Sequence, residues 1–74
     1  MSHDRITRDP KVMGGKPVIR STRVTVEQIV RECARGLSVA EVVAQYPRLS
    51  TEDVYAALSF AADYLADEIT TAAE

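Results

Sequence analysis

Few residues of this 74-residue chain have the type and spacing to do covalent or metal chemistry. His3 is the single histidine, at the very start of the sequence, where a general base or metal ligand lacks a fixed scaffold. Cys33 is the single cysteine. It has no Cys or His neighbours at ligand spacing, so it reads as a small buried apolar residue on a helix face. Gly14-Gly15-Lys16 has the residue types of a phosphate loop. The Gly-x-x-x-x-Gly-Lys-Ser/Thr spacing is absent, however, and Pro17 follows the lysine. Asp63 and Asp67 stand one helical turn apart with Glu68 beside them. They could collect a cation, but an acidic run on a helix is more often a solvated face. The expectation is a non-enzymatic protein without a cofactor or metal.

What remains is binding chemistry, and it is concentrated in one stretch. Gly14-Gly15-Lys16-Pro17-Val18-Ile19-Arg20-Ser21-Thr22-Arg23-Val24-Thr25 lies just before helical periodicity begins. Val18, Ile19 and Val24 favour strands, and Ser21-Thr22 has the length of a tight turn between two of them. Gly14-Gly15 permits backbone at positive φ, and Pro17 suits a strand start or edge. Arg5, Arg8, Lys11, Lys16, Arg20 and Arg23 make this region a basic β arm, the candidate surface for nucleic-acid phosphates.

Charge divides the chain in the same way. Residues 1–36 hold eight basic side chains against four acidic ones, whereas residues 37–74 hold Arg48 against seven acidic ones. The net charge of −2 conceals this split, which points to a nucleic-acid or charged-protein partner. Solvated surface on both halves is the plain alternative. Lone Cys33 excludes an internal disulfide and agrees with a reducing cytoplasm. The sequence has neither a membrane-spanning apolar run nor a leader-like start, so the expected location is cytoplasmic.

Three helices must position the arm. Thr25 caps the first, with Gln28 completing a capping box; Val26, Ile29, Val30 and Cys33 form its apolar face, and Gly36 stops it. Ser38 and Glu41 open the second, Val39, Val42, Val43 and Tyr46 repeat the spacing, and Pro47 ends it. Ser50 and Asp53 open the third, expected to run to about Thr70. On that helix Val54, Leu58, Ala61, Ala62, Leu65 and Ile69 form one stripe, and Ala57, Phe60 and Tyr64 form a second. So small a domain can cover the first stripe. The second is expected to meet another chain, a second copy or a different partner; the alternative is a wide core face wrapped by the N-terminal arm.

The expected fold is therefore mainly α: one domain over residues 1–74, with a basic β-hairpin arm at 5–24 and a three-helix helix-turn-helix at 25–70. In such a fold the third helix reads DNA. Here its first residues include Glu52 and Asp53, and it contains no Lys or Arg, so readout through it is disfavoured and the arm is the better candidate.

Ile6-Thr7, Gly14-Gly15-Lys16-Pro17-Val18-Ile19-Arg20, Thr22-Arg23-Val24-Thr25-Val26, Gly36-Leu37-Ser38 and Tyr46-Pro47-x-Leu49-Ser50 together resemble domain-of-unknown-function family 433. These small bacterial and archaeal proteins are often described as VapB-like antitoxins with a homeodomain-like helix-turn-helix. The resemblance covers roughly residues 5–66. It implies a type II toxin–antitoxin role: binding a PIN-like ribonuclease toxin and repressing an operator as a homodimer or as the toxin complex. The arm would then serve DNA or dimerisation, and Ala57, Phe60, Asp63, Tyr64 and Asp67 of the last helix would serve the partner. Arg20 or Arg23 could enter the acidic metal site of such a nuclease. The family pattern usually has glycine where this chain has Ser21, so the turn there is expected to be strained or of another type. Two rival readings are a stand-alone DNA-binding regulator and an adaptor whose Phe60/Tyr64 stripe binds another protein.

Overall fold

The computed structural model describes residues 3–73, with side chains described through residue 67. Two short strands, β1 (Ile6–Thr7) and β2 (Val18–Ile19), precede three helices, α1 (Val26–Ala34), α2 (Val39–Gln45) and α3 (Thr51–Ala73). Each helix begins where a side chain satisfies its orphan amides. Thr25 Oγ1 accepts from Gln28 N at 2.9 Å while Gln28 Oε1 accepts from Thr25 N at 3.0 Å. Ser38 and Glu41 make the same reciprocal pair. At α3, Ser50 N donates to Asp53 Oδ2 at 2.9 Å and Asp53 N donates to Ser50 Oγ at 3.2 Å. Such boxes fix the start of a helix to a single residue. After α1, Gly36 adopts φ 100°, the left-handed stop that a side chain would resist.

The helices enclose one small core. Ile29, Val42 and Val54 are completely buried, one from each helix, and Ala57 joins them. Ile6, Ile19, Val26 and Leu49 close the periphery. Complete burial of these three branched side chains contributes roughly 1.5–3 kcal/mol each. Cys33 packs against this core as a partly buried apolar residue.

The arm is a two-stranded antiparallel sheet, but its strands are not those the local pattern suggests. Val18-Ile19 pairs with Ile6-Thr7, in the register Ile6↔Ile19 and Thr7↔Val18. The Ser21-Thr22 turn is present: Thr22 N donates to Ile19 O at 3.0 Å, Ile19 N donates to Val24 O at 2.9 Å, and Val18 bridges Thr25. Residues beyond the turn are drawn at once into the α1 cap, so no second ladder develops. Ser21 adopts φ 66°, the left-handed region where L-residues are uncommon. Between the strands, Met13, Gly14 and Gly15 all have positive φ, which turns the chain back toward β2.

Two sequence expectations are corrected. Ala57 belongs to the core with zero exposure, not to an outward stripe with Phe60 and Tyr64. Conversely, Ala62 and Leu65, assigned to the core stripe, are exposed. The reason for the second is length: α3 outruns its core after Ala61, so a stripe extrapolated further meets solvent; the reason for the first is width, since Ala57 stands i+3 from the buried Val54. Ile69 and Glu68 lie outside the residues whose side chains are described, as do those of Thr70 to Glu74. No helix among the described residues is long and apolar enough to cross a membrane.

Candidate functional site

Within the arm, the six basic residues proposed for phosphate contact are dispersed rather than convergent. Arg5 Nη1 pairs with Asp53 Oδ1 at 2.9 Å, binding the arm to the start of α3. Arg8 lies over the Phe60 ring, with its guanidinium carbon 5.8 Å from the centroid, a cation–π contact. Lys16 Nζ pairs with Glu27 Oε1 at 3.0 Å. Arg20 Nε donates to Asp4 O at 2.8 Å and Arg20 N to Arg5 O at 2.8 Å, extending the β ladder. Lys11 and Arg23 are exposed and form no ion pair among the described residues.

The Arg20–Arg23 turn nevertheless gathers cations that the sequence keeps apart. Arg48, from the turn between α2 and α3, donates from Nη2 to Ser21 O at 3.1 Å. It thereby stands beside a hollow of about 410 Å³ lined by Thr7, Asp9, Val12, Val18, Ser21, Thr22, Arg23 and Arg48. The turn is rigidly specified from inside. Thr22 Oγ1 donates to Ile19 O at 2.8 Å and accepts from Val24 N at 3.0 Å, so the side chain replaces the missing ladder bonds. Arg23 and Arg48 thus line one preformed exposed tip, and Arg20 stands at its start with its side chain held to Asp4 O. Arg48 was not among the candidate residues; its partner is 27 positions away, beyond the reach of a local pattern.

Phe60, Tyr64, Asp63 and Asp67 line a separate hollow together with His3 and Arg8. Phe60 is half-buried: His3 packs edge-on at 5.2 Å, and Tyr64 stacks at 6.4 Å between centroids. The N-terminal segment therefore does wrap part of this stripe, as the alternative reading requires. His3 is also placed by Asp63, with Nε2 2.9 Å from Oδ2. Tyr64 remains 48% exposed and its neighbour Leu65 55%. Both border a groove of about 730 Å³ between the arm, α1 and α3, with Val26, Val30, Ala34, Pro17 and Phe60 among its lining and Arg8, Lys16 and Arg31 at its edge.

Electrostatics on the two acidic anchors support this arrangement. Glu27 is held below its ordinary value first by the Lys16 hydrogen bond and then by that of Arg31, at 3.0 Å each. At Asp53, partial burial pushes the carboxyl up, but hydrogen bonds from Ser50 N–H and Arg5 outweigh it and hold the group low. Both stay ionised at neutral pH, so each is a fixed negative anchor for a basic residue of the arm. Among the described residues no three His, Cys, Asp or Glu side chains converge on a metal-sized space.

This fold and its arm recur in known proteins. A crystal structure of a DUF433 member from Anabaena variabilis superposes with a TM-score of 0.79 at 31% identity, covering 95% of this chain and 69% of that one. An uncharacterised protein of Sinorhizobium fredii, y4eO, is 36% identical over 56 residues, which is 76% of this chain. The chain spans a quarter of the length of that relative. The model of the family described as "Protein of unknown function (DUF433)" matches residues 6–61, from β1 to the point where α3 leaves the core. The chain belongs to the DUF433 family.

Proposed function

We propose that this chain is an antitoxin-like protein of the cytoplasm: a non-catalytic module that binds and silences a PIN-like ribonuclease. The observation that carries this reading is the tip at Ser21, where Arg23 and Arg48 line a turn that Arg20 enters and that is fixed by its own hydrogen bonds. A metal-dependent nuclease concentrates carboxylates at its centre, and a preformed cationic tip is complementary to such a cluster. Guanidinium groups pair with carboxylates in two-pronged geometry, which adds specificity to charge. The VapB-like resemblance of the sequence supplies the class of partner. Co-expression with the product of the adjacent reading frame tests it. The neighbour alone arrests growth, this chain restores it, and the two co-purify; Arg20→Ala with Arg23→Ala abolishes rescue while leaving the fold intact. Rescue undiminished by that double substitution removes the tip from the interface, and a harmless or non-binding neighbour removes the antitoxin reading.

A second reading is a DNA-binding regulator acting on its own operator. Its support is the same hollow, where the Thr7 and Ser21 hydroxyls adjoin Arg23 and Arg48, groups that suit phosphate oxygens. Affinity for a short operator duplex that falls steeply with salt, without any protein partner, favours this reading over the first.

A further inference from the structure

The groove beneath α3 is unexplained by the arginine tip, and the two hollows share no lining residue. Past Ala61, α3 continues without a core of its own: Ala62, Asp63, Tyr64, Leu65, Ala66 and Asp67 are all exposed. A helical segment that leaves its domain with two large apolar side chains half in solvent normally has a surface to lie on. The nearest apolar surface is the groove that Tyr64 and Leu65 themselves border.

Charge then selects the occupant. The groove edge carries Arg8, Lys16 and Arg31, and Glu27, paired to the last two at 3.0 Å, offsets one of these charges. The projecting segment of α3 carries Asp67 and Asp63, the latter half exposed beside its own His3, and no basic residue. It is therefore apolar enough to fill the groove and opposite in sign to its edge. Because the segment that fills also borders, one rotation satisfies both halves of the contact, which is the condition for a two-fold interface.

We propose that residues 62–67 of α3 from a second copy of this chain lie in this groove, forming a two-fold homodimer. Tyr64 and Leu65 of each copy meet the apolar lining of the other, and Asp63 and Asp67 face the opposing Arg8 and Arg31. The arginine tips stay outside the contact, so the dimer stands or falls independently of the partner proposed for them.

Sedimentation equilibrium of the full chain tests this. The expected result is a species of twice the 8.1 kDa chain mass in the micromolar range. Leu65→Asp, at a half-exposed position, sediments at the single-chain mass with unchanged helical circular dichroism. Charge exchange supplies the second arm. A chain carrying Arg8→Glu and Arg31→Glu, and another carrying Asp63→Lys and Asp67→Lys, are each monomeric alone and form a one-to-one dimer when mixed. A wild-type chain that stays monomeric throughout assigns the groove to another kind of partner and overturns the proposal. So does a Leu65→Asp chain that dimerises as wild type, or exchanged chains that fail to pair.

Discussion

Arg5 and Asp53, separated by 48 positions, join the residue just before β1 to the first turn of the last helix through a 2.9 Å contact. Asp53 uses its other oxygen to accept Ser50 N–H at 2.9 Å, so one carboxylate both caps α3 and anchors the arm. This double duty means that the Asp53 charge is occupied locally. Removing the cap hydroxyl, Ser50→Ala, should cost about 1 kcal/mol. Arg5→Ala should cost less than about 1 kcal/mol, because half of the Arg5 side chain is in water and the pair is screened. Urea unfolding midpoints of the two variants at constant slope check the order.

Acid should weaken the fold in a defined way. The Asp53 carboxyl is held below its ordinary value in the native state, so it is protonated more readily when unfolded. Its stabilising contribution is fully present above the unfolded value of about 3.9 and is lost as pH falls through the lower native value. Glu27, held low by Lys16 and then Arg31, and Glu41, held low by Ser38, act with the same sign. Asp53→Asn should therefore flatten the acid limb of the melting temperature without abolishing it. An unchanged limb would place the acid sensitivity elsewhere.

At Ser21 the backbone holds φ 66° with a side chain present. The left-handed region costs an L-residue about 1–2 kcal/mol, and glycine avoids this at the expense of greater freedom when unfolded. Ser21→Gly should stabilise by roughly 0.5–1 kcal/mol, the net of these two terms. Ser21→Val should destabilise, since a β-branched residue is a genuine outlier at such φ. Denaturation midpoints of the three forms decide it. The Arg48 hydrogen bond to Ser21 O is a backbone contact, so it survives both changes.

Core substitutions should be severe for so small a domain. Ile29→Ala removes a fully buried side chain and should cost about 2–5 kcal/mol. Ala57→Leu should also destabilise, by about 1–3 kcal/mol, because α3 has no space there. Had Ala57 faced outward with Phe60 and Tyr64, the larger residue would be tolerated. Thermal melts of Ala57→Leu therefore discriminate the two placements directly.

The helices were legible because their boundaries are local chemistry. Thr25 with Gln28, Ser38 with Glu41, and Ser50 with Asp53 each declare a start within four residues, and Gly36 and Pro47 declare stops. The arm was half legible. Its strand formers and the Ser21 turn were visible, but the ladder partner of Val18-Ile19 lies across a loop with no periodicity to reveal it. Side-chain pairing was illegible for the same reason: Arg5 with Asp53, Arg48 with Ser21 and His3 with Asp63 are fixed only once the helices have packed. The stripe on α3 fails at Ala62 and Leu65 because periodicity gives the direction of a face and not the length over which it is covered, whereas Ala57, i+3 from Val54, lies within a core face wider than one stripe.

The anchoring of Arg5 by Asp53 also sets an order of events during synthesis. At about 5–20 residues per second, the ribosome adds the intervening 48 residues in roughly 2–10 s. Throughout that interval the first strand has been made without the helix that secures it, whereas α1 and α2 carry complete capping boxes before Asp53 is added. The arm is thus secured only after α1 and α2 have been made. A nascent chain stalled before residue 53 would present its basic arm unanchored, and the rate of elongation, rather than sequence alone, would govern how long that state persists.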